Sequence, residues 1–318
     1  MLKLINRLKR KRIWLITGVA GFIGSNTAYY LLKNNQIVLG IDNLKTSEMS
    51  NLKKLRKFKN FKFYKLDLTR KFQINKKIDY CIHLAALNSV PRSFDYPAEV
   101  SQNNILSFIN VISFCAKINV RKIIYASSSS VYGNSKKKIK KETQYIDPIS
   151  PYAISKITNE YFAKIYSNKF MKIIGLRFFN VYGYNQKNQK KYSAVIPTWL
   201  NSIKKKNIIE VFGDSSREFC YIDDAVRSIL LTAFYKSRKN YEIFNISGGK
   251  KINIKNLAKK FKNIFGNHNT KIVYKKIRVG DIKNAQASIR KIKECTGFEP
   301  KFNIDEGLKK IKYIKDHY

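Results

Sequence analysis

The feature that most constrains the fold is a glycine-rich turn between an apolar strand and a helical stretch. Residues 13–17 read Ile-Trp-Leu-Ile-Thr, and Gly18, Gly21 and Gly24 follow in a G-x-x-G-x-x-G arrangement. Glycine lets the backbone turn sharply and pass close to a pyrophosphate, and the helix that follows points its N-terminus at that anion. A glycine triplet alone is weak evidence, but a strand before it and a helix after it are the context that a dinucleotide site requires.

Apolar strands alternate with helical stretches as far as residue 126. The pattern predicts strands at 13–17, 36–41, 61–66, 80–84 and 121–126, and helices at 22–33 and 97–118. This repeated β-α order predicts an α/β fold, a Rossmann-like doubly wound sheet of parallel strands.

The order continues with a helix that starts near Pro151 and a strand at 172–178, and it becomes irregular after residue 180. Further helices are expected at 192–204, at 223–235 and within a helix-rich stretch over 254–318. We therefore predict two domains. Residues 1–180 form a dinucleotide-binding Rossmann domain with 1–12 as a basic extension, and residues 181–318 form a smaller α/β region that binds substrate.

The formal net charge of +42 is the unusual feature of the composition. Such a charge suggests a nucleic-acid or anionic-surface partner. The lysines are spread along almost the whole chain, however. This favours a lysine-rich composition that is general to the source genome over a specific nucleic-acid partner. The positive field would still attract an anionic substrate. The chain has no apolar run of about 18 residues, so we expect no membrane span.

The first twelve residues, MLKLINRLKRKR, are too polar for a secretory signal. A short helix packed on the domain is favoured over one lying on an anionic membrane surface. The four cysteines form no C-x-x-C pair, which fits free thiols in a reducing, cytoplasmic location. The three histidines are far apart and lack ligand spacing, so no metal site is predicted.

Two aspartates follow predicted strands and point to the choice of dinucleotide. Asp42 ends the second strand, 18 positions after Gly24. A carboxylate there accepts hydrogen bonds from the adenosine ribose and repels a 2′-phosphate, which favours NAD over NADP. Asp67 follows the third strand and either bonds the adenine amino group or caps a helix, and the sequence leaves both open.

Four consecutive serines follow the fifth strand, in YASSSSVYG at residues 125–133. They form either a polar loop or a set of hydroxyls presented at the edge of the sheet where open α/β folds hold ligands. Further on, Tyr152 and Lys156 are four residues apart, so they share one face of a helix. A tyrosine with a pKa of about 10 is a poor base, but a nearby ammonium and a positive nicotinamide ring favour the phenolate. Tyr152 is therefore a candidate general base.

Six segments together resemble the extended short-chain dehydrogenase/reductase family: WLITGVAGFIGSN, HLAALNSVPRS, ASSSSVYG, SPYAISK, GLRFFNVYG and SREFCYIDD. The resemblance covers nearly the whole chain and is stronger to the NAD-dependent UDP-sugar 4-epimerases, in particular to UDP-N-acetylglucosamine 4-epimerases of surface-polysaccharide pathways. It implies an isomerase with tightly bound NAD. It also implies a homodimer that forms through the 97–118 helix and the helix that carries Tyr152.

The resemblance assigns the catalytic roles to Ser128, Tyr152 and Lys156. Ser128 relays the proton of the sugar's 4-hydroxyl to Tyr152, and Lys156 bonds the nicotinamide ribose. The family's dehydratases carry Thr-Asp-Glu where this chain has three serines, 128 to 130, and its decarboxylating members keep a glutamate there. The absence of an acid argues against both of those reactions.

The same resemblance implies the binding residues. NAD is expected to contact Gly18, Gly21, Phe22, Ile23, Gly24, Asp42, Asn43, Asp67, Leu68, Ala85, Ala86, Asn103, Ser127, Tyr152, Lys156 and Phe179. The UDP-sugar is expected to contact Asn88, Ser89, Ser128, Ser129, Ser130, Asn180, Val195, Ile196, Arg217, Arg278, Asp281 and Ala285.

Several of these substrate residues have specific expected partners. Asn180, Arg217 and Arg278 are expected at the diphosphate. Val195 and Ile196 would form the wall of the uracil site, and Asp281 would bond the uridine ribose.

Ala285 is small where galactose-only relatives carry a tyrosine, so it leaves room for an N-acetyl group without forcing a preference for it. Asn88 departs from the residues expected there, which leaves the sugar contacts open. The alternatives are a UDP-N-acetylglucosaminuronate, UDP-glucuronate or UDP-glucose 4-epimerase of the same mechanism and, more remotely, a non-catalytic NAD-binding regulator.

Overall fold

The computed structural model describes residues 2–187, 193–276 and 284–317. Seven parallel strands within these ranges form the central sheet, in the order β12-β7-β5-β4-β1-β2-β3. The order reverses between β1 and β4, which marks the switch point of a doubly wound sheet and confirms the predicted fold. The strands are β1 (Ile13–Thr17), β2 (Ile37–Asp42), β3 (Phe61–Lys65), β4 (Tyr80–His83), β5 (Lys122–Ser128), β7 (Lys172–Phe178) and β12 (Tyr241–Ile246).

Helices cover both faces of this sheet, and each face has its own apolar core. Trp14 and Ile16 of β1 point to one face, and Leu15 between them points to the other, as the two-residue period of a strand requires. Such strands are buried on both sides, which explains why they are continuous apolar runs in the sequence. The principal helices are α2 (Phe22–Lys33), α4 (Pro97–Lys117), α5 (Pro151–Tyr166) and α7 (Ile222–Phe234).

Smaller elements form the second region. A four-stranded sheet has the order β13-β10-β15-β6, and two-stranded sheets join β8 to β11 and β9 to β14. These strands are β6 (Ile139–Lys140), β8 (Val181–Tyr182), β9 (Ile208–Phe212), β10 (Ser216–Glu218), β11 (Cys220–Tyr221), β13 (Lys251–Asn253), β14 (Lys271–Lys275) and β15 (Asn284–Ala287). The remaining helices are α1 (Leu2–Leu8), α3 (Val90–Asp95), α6 (Val195–Lys206), α8 (Ile254–Phe265), α9 (Arg290–Thr296) and α10 (Ile304–His317).

Two observations refine the expected organisation. β12 lies beyond residue 180 yet pairs in parallel with β7, so the central sheet draws on both sides of the predicted boundary. The stretch after residue 254 contains β14 and β15 beside its helices, so it is less purely helical than expected.

The basic N-terminal extension is packed on the domain, as predicted. Leu4 and Leu8 of α1 are buried in the core on the α7 side of the sheet. The Arg7 guanidinium donates to the carbonyl of Phe234, at the C-terminal end of α7, over 2.7 Å. A cation at this end of a helix also interacts favourably with the helix dipole. In the part of the chain that the structure describes, no helix has the length and apolarity needed to cross a membrane.

Candidate active site

A cleft of about 810 Å³ opens at the carboxyl edge of the central sheet. Its walls come from the strand ends on one side, such as Gly18 and Ser128, and from the second region on the other, such as Ile196 and Arg217. This volume lies within the range of about 300–1,000 Å³ that is usual for ligand pockets. Its position at the switch point of the sheet is where open α/β folds hold their ligands.

The glycine loop leaves the floor of the cleft free of side chains. Gly18 has φ +69°, and a Cβ there would lie within 2.7–2.9 Å of the backbone of Leu84 and Ala85. A Cβ on Gly24 would lie 2.1 Å from the carbonyl oxygen of Gly18. Helix α2 starts at Phe22 directly above the loop, so its first N–H groups face the cleft. This geometry fits the pyrophosphate of a dinucleotide.

Asp42 ties the glycine loop to the turn that follows β2. Its Oδ2 accepts from the Ala20 N–H at 3.0 Å, and its Oδ1 accepts from the Leu44 N–H at 2.8 Å and from Ser47 Oγ at 2.7 Å. The carboxylate lines the cleft. Oδ2 keeps acceptor capacity for a further donor such as a ribose hydroxyl.

Asp67 also lines the cleft, and its carboxylate closes a local turn. Oδ1 accepts from the N–H of Thr69 at 3.0 Å and from its hydroxyl at 2.8 Å. The backbone hydrogen bond from Thr69 lowers the pKa of Asp67. Residues 67–69 are a turn and start no helix, so the helix-capping alternative is wrong. The adenine contact stays a prediction.

The serine turn and the start of α5 bring the predicted catalytic hydroxyls together. Ser128 ends β5, and its Oγ accepts from the Ser130 N–H at 3.1 Å and donates to Ser130 Oγ at 3.0 Å. The Ser128 hydroxyl is also close enough to Tyr152 to lower the pKa of its phenol. Helix α5 begins at this point because Ser150 accepts from the Ala153 N–H at 3.1 Å and Pro151 occupies the first turn.

Burial controls the protonation of this site. It raises the pKa of Tyr152 to about 12, and the nearby Ser128 hydroxyl acts in the opposite direction. Burial also lowers the pKa of Lys156 to about 8. The Lys156 ammonium donates to the Ala126 carbonyl at 2.9 Å and lies 5.8 Å from the centroid of the Tyr152 ring. Tyr152 therefore holds its proton at neutral pH until positive charge is added nearby.

Most of the other predicted contacts also line the cleft. On the cofactor side these are Gly21, Phe22, Ile23, Asn43, Leu68, Ala85, Ala86, Asn103 and Ser127. On the substrate side they are Asn88, Ser89, Ser129, Ser130, Asn180, Val195, Ile196 and Arg217.

Three predicted residues fall elsewhere, or outside the described chain. Phe179 is fully buried in a cluster with Val131 and Tyr132, and its neighbour Phe178 lines the cleft instead. Successive side chains of extended backbone point to opposite sides, so one position separates a lining residue from a core residue. Arg278 and Asp281 lie outside the described residues.

Ala285 lies in β15, where its Cα pairs in register with that of Arg217. Its expected role at the sugar's 2-substituent stays a prediction. A metal site has no support in the described ranges, where no three His, Cys, Asp or Glu side chains come together.

Three charged side chains that line the cleft, Lys45, Glu48 and Lys187, were not predicted from the sequence. Lys187, which follows β8, bonds Glu48 and, over 2.6 Å, Ser50, both of which follow β2. Lys45 pairs with Glu99 at 2.7 Å. Their position in loops that follow strands of the predicted sheet could have suggested a place near the site. Charged residues are common in such loops, however, so this position alone does not identify them.

Comparisons with known proteins agree with this geometry. The model of the NAD dependent epimerase/dehydratase family matches residues 14–247. A UDP-glucuronate 4-epimerase of Thermodesulfobacterium geofontis is 33% identical, over 96% of this chain and 96% of that protein.

Solved structures are similar over nearly the full length. A UDP-N-acetylglucosamine 4-epimerase from Methanobrevibacter ruminantium, in complex with UDP-N-acetylmuramic acid, has a TM-score of 0.89 at 31% identity, covering 96% of this chain and 99% of that one. A mutant UDP-glucuronic acid 4-epimerase from Bacillus cereus, in complex with UDP-4-deoxy-4-fluoro-glucuronic acid and NAD, has a TM-score of 0.87 at 28% identity, covering 96% of this chain and 100% of that one. The chain therefore belongs to the NAD-dependent epimerase/dehydratase family of extended short-chain dehydrogenases/reductases.

Proposed function

We propose that the protein interconverts UDP-GlcNAc and UDP-GalNAc by NAD-dependent epimerisation at C4, as a step in making polysaccharide precursors. The observation that carries the proposal is that Ser128, Tyr152 and Lys156 line one edge of the cleft, with the Lys156 Nζ 5.8 Å from the centroid of the Tyr152 ring. The turn from Ser128 to Ser130 supplies hydroxyls and no carboxylate, which supports epimerisation over dehydration. This set can move one proton to and from a sugar hydroxyl.

We assign the roles of these residues from the family resemblance, and their positions in the cleft support the assignment. Tyr152, as phenolate, takes the proton of the sugar's 4-hydroxyl through Ser128 while C4 loses a hydride and the C4–oxygen bond becomes a carbonyl. Bound NAD would supply the hydride acceptor and donor. The 4-keto sugar would turn over about its diphosphate link between the two transfers, so that the hydride returns to the opposite face of C4. Tyr152 then gives the proton back. Lys156 holds positive charge beside Tyr152, which favours the phenolate that burial disfavours.

The far end of the cleft fits a nucleoside diphosphate. Asn180 donates through Nδ2 to the Glu218 carbonyl at 2.8 Å, which fixes the amide and leaves its second N–H for a phosphate oxygen. Arg217 brings a guanidinium to the same wall, and Val195 and Ile196 begin α6 there with apolar side chains. The Methanobrevibacter structure holds a UDP-sugar with an N-acetyl group, which supports the same class of substrate here.

A second candidate substrate is a UDP-hexuronate or its N-acetylated form. The relative from Thermodesulfobacterium geofontis acts on UDP-glucuronate, and Lys45, Arg92 and Lys187 line the cleft as cations that could face a carboxylate. Arg92 and Lys45 both pair with Glu99, at 2.9 and 2.7 Å, so this carboxylate partly neutralises their positive charge. This pairing is why we rank the neutral sugar first.

The purified protein, with no NAD added, should convert UDP-GlcNAc to UDP-GalNAc, followed by proton NMR or chromatography. UDP-N-acetylglucosaminuronate and UDP-glucuronate are the parallel substrates. Turnover without added NAD would support a cofactor that stays bound between cycles. Turnover of the acids alone would move the proposal to the second candidate, and no turnover after NAD is added would favour a non-catalytic NAD-binding regulator.

We also propose a homodimer formed through α4 and α5, which pack against each other. Their outer faces expose apolar side chains: Leu106 39%, Ile154 53%, Tyr161 61% and Ile165 75%. Ile154, Tyr161 and Ile165 are seven and four residues apart, so they share one face of α5, and an exposed apolar face of this kind is typical of an interface. Light scattering should give twice the chain mass, and Ile165→Lys should give the monomer. Tyr145→Lys, at an 82% exposed site outside both helices, should stay dimeric.

A cytoplasmic location remains our proposal. Cys81, Cys115 and Cys220 are buried free thiols, and Cys295 is a partly buried one. Free thiols suit a reducing compartment.

A further inference from the structure

A buried ion pair lies directly behind the serine turn. The Arg177 Nη2 of β7 contacts Glu160 Oε2 of α5 at 2.7 Å, and Arg177 Nε donates to Glu160 Oε1 at 2.9 Å. The two side chains are only 5% and 9% exposed. Tyr152, Lys156 and Glu160 follow one another at intervals of four residues, so all three share one face of α5. The helix that presents the catalytic tyrosine also presents this carboxylate.

The pair holds both ends of the serine turn. Ser127 Oγ, just before Ser128, donates to Glu160 Oε1 at 2.6 Å. On the other side of the turn, Arg177 Nη1 donates to the Tyr132 hydroxyl at 3.0 Å. Tyr132 donates in turn to Asn245 of β12 at 2.7 Å. The turn is thus connected on one side to α5, through Glu160, and on the other to β7 and β12.

Stability alone does not account for this arrangement. Removing two charges from water costs about as much as their attraction returns, and well-packed apolar residues in their place are often as stable or more so. A bidentate pair does provide fixed geometry, because both guanidinium donors and both carboxylate oxygens are engaged. What it fixes here is the distance between the Ser128 turn and the face of α5 that carries Tyr152.

We propose that Glu160 and Arg177 are positioning residues, which act through Ser127 and Tyr132 to hold Ser128 within hydrogen-bond reach of Tyr152. The inference rests on the proposed function, in which Ser128 relays the proton. It assigns no contact with substrate or cofactor to either member of the pair.

The sharpest test is Ser127→Ala, because it cuts the connection to Glu160 and leaves the ion pair intact. A displacement of about 1 Å at a catalytic group can cost about a hundredfold in rate, so kcat should fall between about tenfold and a hundredfold. The nearby Ser128 hydroxyl lowers the pKa of Tyr152. Its displacement should therefore move the acidic limb of the kcat–pH profile to higher pH, with the KM for UDP-sugar little changed.

Two further variants separate positioning from structure. Ser127→Thr restores a hydroxyl and should recover most of the lost kcat. Glu160→Leu combined with Arg177→Met replaces both charges with apolar groups, and it should keep the melting temperature while losing kcat. Ser228→Ala is the matched control, because Ser228 is a fully buried serine whose hydroxyl donates to the Ala225 carbonyl of its own helix α7.

A readout independent of turnover is amide hydrogen exchange in residues 127–133. Exchange there should be faster in Ser127→Ala than in the wild type and unchanged in Ser228→Ala. If the wild type acts on no UDP-sugar, the proposed function fails and this exchange alone decides the inference.

The inference is overturned if exchange in the turn, kcat and the pH profile of Ser127→Ala all match the wild type. A loss confined to NAD affinity, with normal kcat at saturating NAD, also overturns it. Failure of the double variant to fold leaves Ser127→Ala to decide.

Discussion

Tyr152 combines two properties at the scale of a single residue: it is buried, and it lies close to the hydroxyl of Ser128. Tyr152→Phe keeps the ring that packs against Leu87 and Val100 and removes only the titrating oxygen. We expect kcat to fall by between about 10² and 10⁴, with melting temperature and NAD affinity retained. Rates by NMR and NAD titration by calorimetry test this, with Tyr145→Phe as control. A variant that keeps more than a tenth of the wild-type rate would contradict the role.

Lys156 gives a prediction about pH. Its pKa falls from 10.5 to about 8 on burial, so between these values the unfolded chain binds more protons than the folded one. The free energy of unfolding therefore rises with pH between about 8 and 10.5, and below pH 8 the cost of burying the charged lysine lowers it in full. Without NAD, the unfolding free energy of the wild type relative to Lys156→Met should rise by up to about 3 kcal/mol between pH 7.5 and 10. Urea unfolding at fixed pH steps measures it, and a constant difference would refute it.

The spacing of residues in the sequence predicted part of the site but not its supporting contacts. Gly18, Tyr152 and Lys156 could be found because their roles demand fixed spacing beside a strand or along a helix. Glu160 could not, since its partners Ser127 and Arg177 are 33 and 17 positions away and contacts at such separations leave no periodic pattern. The long-range contacts that hold the catalytic groups were therefore visible only in the structure.

At the scale of secondary-structure elements, prediction succeeded where buried strands and amphipathic helices alternate. β1, α2 and β7 have the predicted bounds of Ile13–Thr17, Phe22–Lys33 and Lys172–Phe178. Strand β12 was missed because it follows a loop and has no helix of regular period directly after it. Its place in the central sheet comes from pairing with β7, which begins with Tyr241 opposite Ile173, 68 residues earlier in the chain. Such pairings need the assembled sheet.

Helix α1 provides a prediction for one element. Leu8 is 4% exposed and packs into the core on the α7 side, so Leu8→Ala should lower the unfolding free energy by about 2–4 kcal/mol. No residue of α1 lines the cleft among the described positions, so kcat of the folded variant should match the wild type. Lys9→Ala, at an exposed neighbouring position, should change neither quantity. A stable but inactive Leu8→Ala would show that α1 affects the site.

At the scale of the whole molecule, the cleft exists because two parts of the chain meet over one sheet edge. The strand ends supply the glycine loop and the serine turn, and the chain from residue 180 onward supplies Asn180, Ile196 and Arg217. Sequence alone predicted both sets but not their distance, which depends on how the second region packs. The volume of about 810 Å³ shows that the two sets line one space.

The net charge of +42 should speed the capture of substrate, because the positive field of the whole molecule attracts an anionic UDP-sugar. Salt reduces the screening length from about 10 Å at 0.1 M to about 3 Å at 1 M. Across that range kcat/KM should fall by about tenfold, while kcat should change less than about twofold because the buried site is shielded from salt. Sucrose, added to give the viscosity of the 1 M salt solution, is the control, since it slows diffusion without screening charge. A kcat/KM independent of salt, or a kcat that falls in parallel with it, would show that the charge does not act on substrate capture.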